Sequence, residues 1–108
     1  MTASQAKQIL ADVDRPNFHF LMDTGQWKGA IGSHPRGEFD SAVDLYEDYL
    51  RPMAAQTVYV RAKIYKIDSG QEEWLDYKRI IAILKAADFN GNMSIVFEDR
   101  GNQYGYDE

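Results

Sequence analysis

An α/β fold of parallel βα units is predicted by three observations: the order of elements along the chain, two strongly amphipathic helical stripes, and strands with one apolar and one polar side. Helix, strand, helix, strand, helix and strand succeed one another. Helices of this length between strands imply parallel pairing through right-handed crossovers. The chain has 108 residues, 44% of them hydrophobic, which suits one compact domain with a real core.

The first element is "TASQAKQILADVD", a short helix with Thr2 or Ser4 as N-cap and Ala6, Ile9 and Leu10 on one face. "RPN" ends it. Phe18 to Met22 read as an aromatic-rich strand stopped at Gly25. From Thr24 to Phe39 the chain is glycine-rich and lacks periodicity, and loops of that length tend to be functional or mobile. Asp40 or Ser41 is then placed to cap a second helix. Its stripe is Ala42, Leu45, Tyr46, Tyr49 and Leu50, and Pro52 is expected to close it.

"TVYVRAKIY" is the clearest strand: Val58, Val60, Ala62 and Ile64 form one side, Tyr59, Arg61, Lys63 and Tyr65 the other. After the polar loop "DSGQEE", Asp76 is positioned to cap a third helix with Ile80, Ile81, Leu84 and Ala87 on one face. "FNGN" turns the chain into "MSIVFE", a third strand with Met93, Ile95 and Phe97 on one side. A polar tail follows from about residue 99 to 108.

Composition narrows the function. The net charge is −5 with acidic residues spread throughout, so the basic face of a nucleic-acid binder is missing. No run approaches the roughly 20 apolar residues of a membrane span. The polar start "TASQAK" has no signal-peptide pattern, so a cytoplasmic location is expected. Lack of cysteine removes disulfides and thiolate chemistry.

The strands themselves hold the more specific signal. In a doubly wound sheet both faces carry helices and the strands are apolar throughout. Here the apolar sides (Phe18, Phe20, Met22; Val58, Val60, Ala62, Ile64; Met93, Ile95, Phe97) can receive helices, while period-2 alternation gathers Asp23, Lys63 and Glu98 on the opposite face. Each stands at the C-terminal end of its strand. Inward-facing residues of a (β/α)8 barrel are arranged in this way, with catalytic groups at the strand ends. A small open three-layer domain with a solvated polar face fits the same pattern. The triplet Asp-Thr-Gly at 23–25 also raises an aspartic protease dimer of retroviral type, but that fold is almost wholly β and the two amphipathic helices contradict it.

"FHFLMDTGQW", "VYVRAKIY", "EEWLDYKRIIAILKAADFNG" and "NMSIVFE" together resemble the last strands and helices of the sugar phosphate isomerase/epimerase family, TIM barrels of the xylose isomerase-like superfamily. The resemblance runs from about Asn17 to Glu98. It implies a partial barrel: the last three strands of a (β/α)8 fold, as a fragment of a longer chain or a unit that completes itself as a homo-oligomer. A full barrel needs about 250 residues, and unpaired sheet edges invite association.

The activity implied is isomerisation or epimerisation of a sugar or sugar phosphate. A divalent metal (Mn, Mg or Zn) would polarise substrate oxygens while carboxylates move protons. Asp23 matches the family's metal-binding aspartate. Lys63 matches the lysine of its "aK-y" segment, close to substrate, and Glu98 is the carboxylate nearest the position of a proton carrier. Gln26 stands where many members have histidine, Arg61 where a metal-binding histidine is usual, and Val96 where a glutamate completes the metal site. Gln26, Trp27, Arg61 and Lys63 are thus candidates for substrate contact, with Tyr59 a second aromatic able to line a sugar ring. Arg61 and Lys63 between two carboxylates predict a salt-bridged remnant of the site with the metal centre degenerate. A non-catalytic carbohydrate- or phosphate-binding or oligomerising module is the alternative. His19 is expected in the interior and His34 in a loop.

Overall fold

The computed structural model describes residues 1–31 and 39–98. His34 and the predicted tail from 99 onward lie outside these residues. Helix α1 (Ala3–Val13) begins at Thr2, whose side chain accepts from the Gln5 N–H while the Gln5 side chain accepts from the Thr2 N–H, a reciprocal capping box. Ala3 and Ala6 are its buried residues; Ile9, expected inward, is exposed. Alanines let the helix lie close to its support, and the larger Leu10 reaches the core from the side.

Strand β1 (Phe20–Asp23) starts two residues later than expected, so Phe18 and His19 precede it. His19 is exposed, a correction to its expected interior place. Strand β2 (Thr57–Ile64) lies in the middle of the sheet and β3 (Asn92–Phe97) on its far side, in the order β1-β2-β3 with both pairs parallel. Sequential order and parallel pairing confirm the α/β reading as one open three-stranded sheet. Between Phe20 and Leu21 the register slips, pairing Phe20 with Thr57 but Leu21 with Tyr59. Val58 is the residue passed over, and it is exposed rather than buried.

The second helical segment departs most from expectation. Asp44, not Asp40 or Ser41, caps it through the N–H groups of Tyr46 and Glu47. Leu45–Leu50 form a π-helical stretch that runs directly into the short α-helix α2 (Arg51–Ala54). Pro52 therefore sits in the first turn of α2 instead of ending the segment. The widened turn before it accommodates a residue that has no N–H to give and whose ring crowds the preceding turn. Ala42 falls ahead of the helix and is exposed, whereas Leu45, Tyr49, Leu50 and Met53 are buried.

Helix α3 (Tyr77–Ala86) is capped by Asp76 as the sequence predicts. Its buried stripe is Ile80, Ile83 and Leu84; Ile81, one position off that stripe, is exposed. The loop before it is folded by one carboxylate. Glu72 accepts from the Tyr65 and Lys66 N–H groups at 2.7 and 3.1 Å and from those of Trp74 and Leu75 at 2.8 and 3.2 Å.

The core lies on one face of the sheet, where Met22 and Val60 meet Leu50, Met53, Ile80, Ile83 and Leu84. Among the described residues that cover stops short of β3. Met93, Ile95 and Phe97 pair in register with Val60, Ala62 and Ile64, so they share the helix-bearing face. They nevertheless remain 38%, 77% and 57% exposed. The expectation that these three would receive a helix is corrected: alternation reports which side is apolar, not whether an element exists to cover it.

Candidate functional site

The site is built at the C-terminal ends of the strands, on the face away from the core. Asp23 is the last residue of β1 and pairs in register with Arg61. Lys63 stands two residues further along β2, opposite Val96 of β3. Glu98 follows the end of β3, its N–H donating to the Ile64 carbonyl at 2.7 Å, so its side chain returns to the face used by Val96. Three strands thus deliver Asp23, Arg61, Lys63 and Glu98 to one spot.

Lys63 is the centre of it. Its side chain is 1% exposed and its ammonium donates to Glu98 Oε1 and lies 3.6 Å from Asp23 Oδ2. Arg61, well exposed, brings Nη1 to 3.8 Å from the same oxygen. Asp23 divides its work between two oxygens. Oδ1 accepts from the Gly25 N–H at 3.0 Å, a local turn. Oδ2 is buried and lacks a hydrogen-bond partner at conventional distance, so it is held by coulombic attraction alone. The turn role and the site role of Asp23 coexist on one carboxylate.

A ring of hydroxyls fixes this arrangement from below. The Lys63 N–H donates to Thr24 Oγ1 at 2.9 Å, and the Tyr77 hydroxyl donates to the Lys63 carbonyl at 2.6 Å. Thr24 Oγ1 lies 3.0 Å from the Tyr77 hydroxyl and donates to the Arg61 carbonyl at 3.3 Å. Burial pushes the Tyr77 hydroxyl up to about 12, against the opposing effect of the Thr24 contact and with help from the negative charges of Glu72 and Asp23. It is therefore a neutral donor throughout the physiological range. Beside it, the Tyr65 hydroxyl donates to the Gly25 carbonyl at 3.0 Å. Glycine is required at 25, because a Cβ there would lie 2.0 Å from the Tyr65 hydroxyl oxygen.

Thr24 and Tyr77 were not singled out from the sequence. Their contacts join residues 37 and 53 positions apart in Thr24's case, and no local spacing announces such a meeting. The only hint was their adjacency to Asp23 and Asp76.

The remaining candidates are not brought into the cluster. Gln26 is exposed. Trp27 is buried in the hydrophobic core, stacked on Tyr49 at 4.5 Å between ring centroids and tilted against Phe20 at 6.1 Å. Its indole N–H has no partner among the described residues. Tyr59, half-buried, is two residues before Arg61 on the same face. A cleft of about 560 Å³ opens elsewhere, lined by Tyr46, Glu72, Trp74 and Tyr77 among others, and includes none of Asp23, Lys63 or Glu98.

The donor set does not fit a divalent metal. Among the described residues no three metal-ligating side chains converge. The carboxylates of Asp23 and Glu98 already face the Lys63 ammonium, and a dication would have to displace or repel that charge. What the cluster can offer chemically is a carboxylate next to a fixed cation. Among the described residues no helix is long and apolar enough to cross a membrane. No protein-family model matches the chain, and no curated protein does so either.

Proposed function

We propose that this chain is the C-terminal portion of a sugar phosphate isomerase/epimerase-like parallel barrel in which an internal ammonium has replaced the metal. The observation that carries this reading is Lys63, held at 1% exposure between Asp23 and Glu98 where three parallel strands end. Isomerisation and epimerisation both need a base to move a proton at carbon and a positive charge to stabilise the oxyanion that develops. Glu98 supplies the carboxylate and Lys63 the charge, with the exposed guanidinium of Arg61 available to a phosphate group. Asp23 and the Thr24–Tyr77 ring position Lys63. Activity on this reading requires the missing strands, supplied by a parent chain or by association.

The experiment is calorimetric titration with aldose and ketose phosphates, with and without chelator, alongside an assay for epimer formation. Binding that chelator leaves unchanged and that Arg61→Ala weakens supports the site. Failure to bind any sugar phosphate in any assembly state refutes it. A second reading, a non-catalytic sugar-phosphate-binding module, is favoured by the pairing of Lys63 with both carboxylates. Binding without turnover selects it.

A further inference from the structure

The outer edge of β3 differs from the other edge of the sheet. The Glu98 N–H donates to the Ile64 carbonyl on β2. Backbone groups alternate in direction along a strand, so those of Val96 and Ser94 also face β2, while those of Met93, Ile95 and Phe97 face away from the sheet. The same three residues carry the exposed apolar side chains of the helix-bearing face. Among the described residues no strand pairs with this edge. Asn92–Phe97 contains no charged residue and no proline, two of the devices by which edge strands resist pairing.

We propose that this edge is the interface of a two-fold dimer in which β3 pairs antiparallel with β3 of a second copy, centred on Ile95. The register is self-complementary. With Ile95 opposite its symmetry mate, Met93 falls opposite Phe97, and every outward-facing backbone group meets an outward-facing one. Each of these pairs exchanges both of its main-chain hydrogen bonds. A two-fold axis perpendicular to the sheet keeps the helix-bearing faces of both copies on one side, so the apolar side chains of the two β3 strands form one continuous strip. No like charges oppose each other across the axis, because the strand has none. The interface is isologous and closes at two copies.

A head-to-tail alternative, β3 against β1 of the next copy, is the join that would extend a parallel barrel. It is the poorer match. The Thr24 N–H bonds Arg61 on β2, so within β1 only Leu21 and Asp23 direct backbone groups outward, and Asp23 places a carboxylate at that edge. The dimer proposed here is thus an open six-stranded sheet rather than a closed ring; it is argued from the edge of β3 alone and competes with closure of a parallel barrel through that edge.

Sedimentation equilibrium of the full chain over a concentration series provides the first test, with a dimer expected. A chain still monomeric at about 1 mM, the weak end of the affinity scale, overturns the proposal. Ile95→Lys sets two like charges opposite each other across the axis and is expected to leave a folded monomer at concentrations where the unmodified chain is dimeric. An unchanged dimer overturns it. The chain has no cysteine, so Ile95→Cys is an unambiguous second probe, and it carries the test should the lysine variant fail to fold. Paired residues in this register have Cα atoms about 5.5 Å apart, within the span of a disulfide. Mild oxidation is expected to give a covalent dimer from Ile95→Cys and none from Leu21→Cys. Mixed cross-linking between the two variants would show the head-to-tail join and overturn the two-fold one.

Discussion

Lys63 is the residue on which both the site and the local stability turn. Removing one partner from a buried ion pair leaves uncompensated charge and typically costs about 3–5 kcal/mol. Lys63→Met keeps the volume but orphans Asp23 and Glu98, so a loss of that order is expected in urea denaturation, with Arg61→Ala close to neutral because Arg61 is well exposed. Gly25→Ala drives a methyl group into the Tyr65 hydroxyl and is expected to cost about 1–3 kcal/mol, as overpacking generally does. At the surface, Glu47 is bonded by Arg51 and Arg79, which hold its carboxyl down at about 2. The folded value lies below the unfolded one, so its contribution is complete above the ordinary carboxylate range and is lost as pH falls toward about 2. Carboxyl NMR should place the Glu47 midpoint there in low salt and move it upward in high salt, because the pair is exposed. The grouping of Asp23, Lys63 and Glu98 was legible in the sequence because strand alternation is strict. Thr24 and Tyr77 were not, since a hydroxyl relay exists only once distant segments meet.

Among the elements, α3 was the most legible and the second helical segment the least. Asp76 caps α3 where expected, and Asp76→Ala should lower stability by about 1 kcal/mol in thermal melts. The exchange of Ile81 for Ile83 in its buried stripe follows from a helix offering two near-equivalent faces when isoleucines occupy 80, 81 and 83. Only the position of the sheet chooses between them. The rule that proline ends a helix failed at Pro52 because the segment ahead of it is π-helical. Sequence patterns assume a uniform turn, and a widened turn shifts every later residue off the assumed stripe.

For the whole molecule, topology followed directly from element order, and coverage did not. Alternating helices and strands required parallel pairing, and β1-β2-β3 adjacency is the simplest arrangement of it. Whether each apolar face receives a partner depends on neighbours that the pattern of one strand cannot encode. The uncovered face of β3 has a further consequence, in what happens when the fold is lost. Asn92–Phe97 is a short, uncharged segment rich in β-forming residues and without proline or glycine, the composition of segments that stack into cross-β aggregates once released. Among the described residues its one strand neighbour is β2, and in the proposed dimer the other edge is covered by β3 of the second copy. Repeated calorimetric scans are therefore expected to show irreversible thermal unfolding with turbidity, and Ile95→Lys to restore reversibility by breaking the uncharged run.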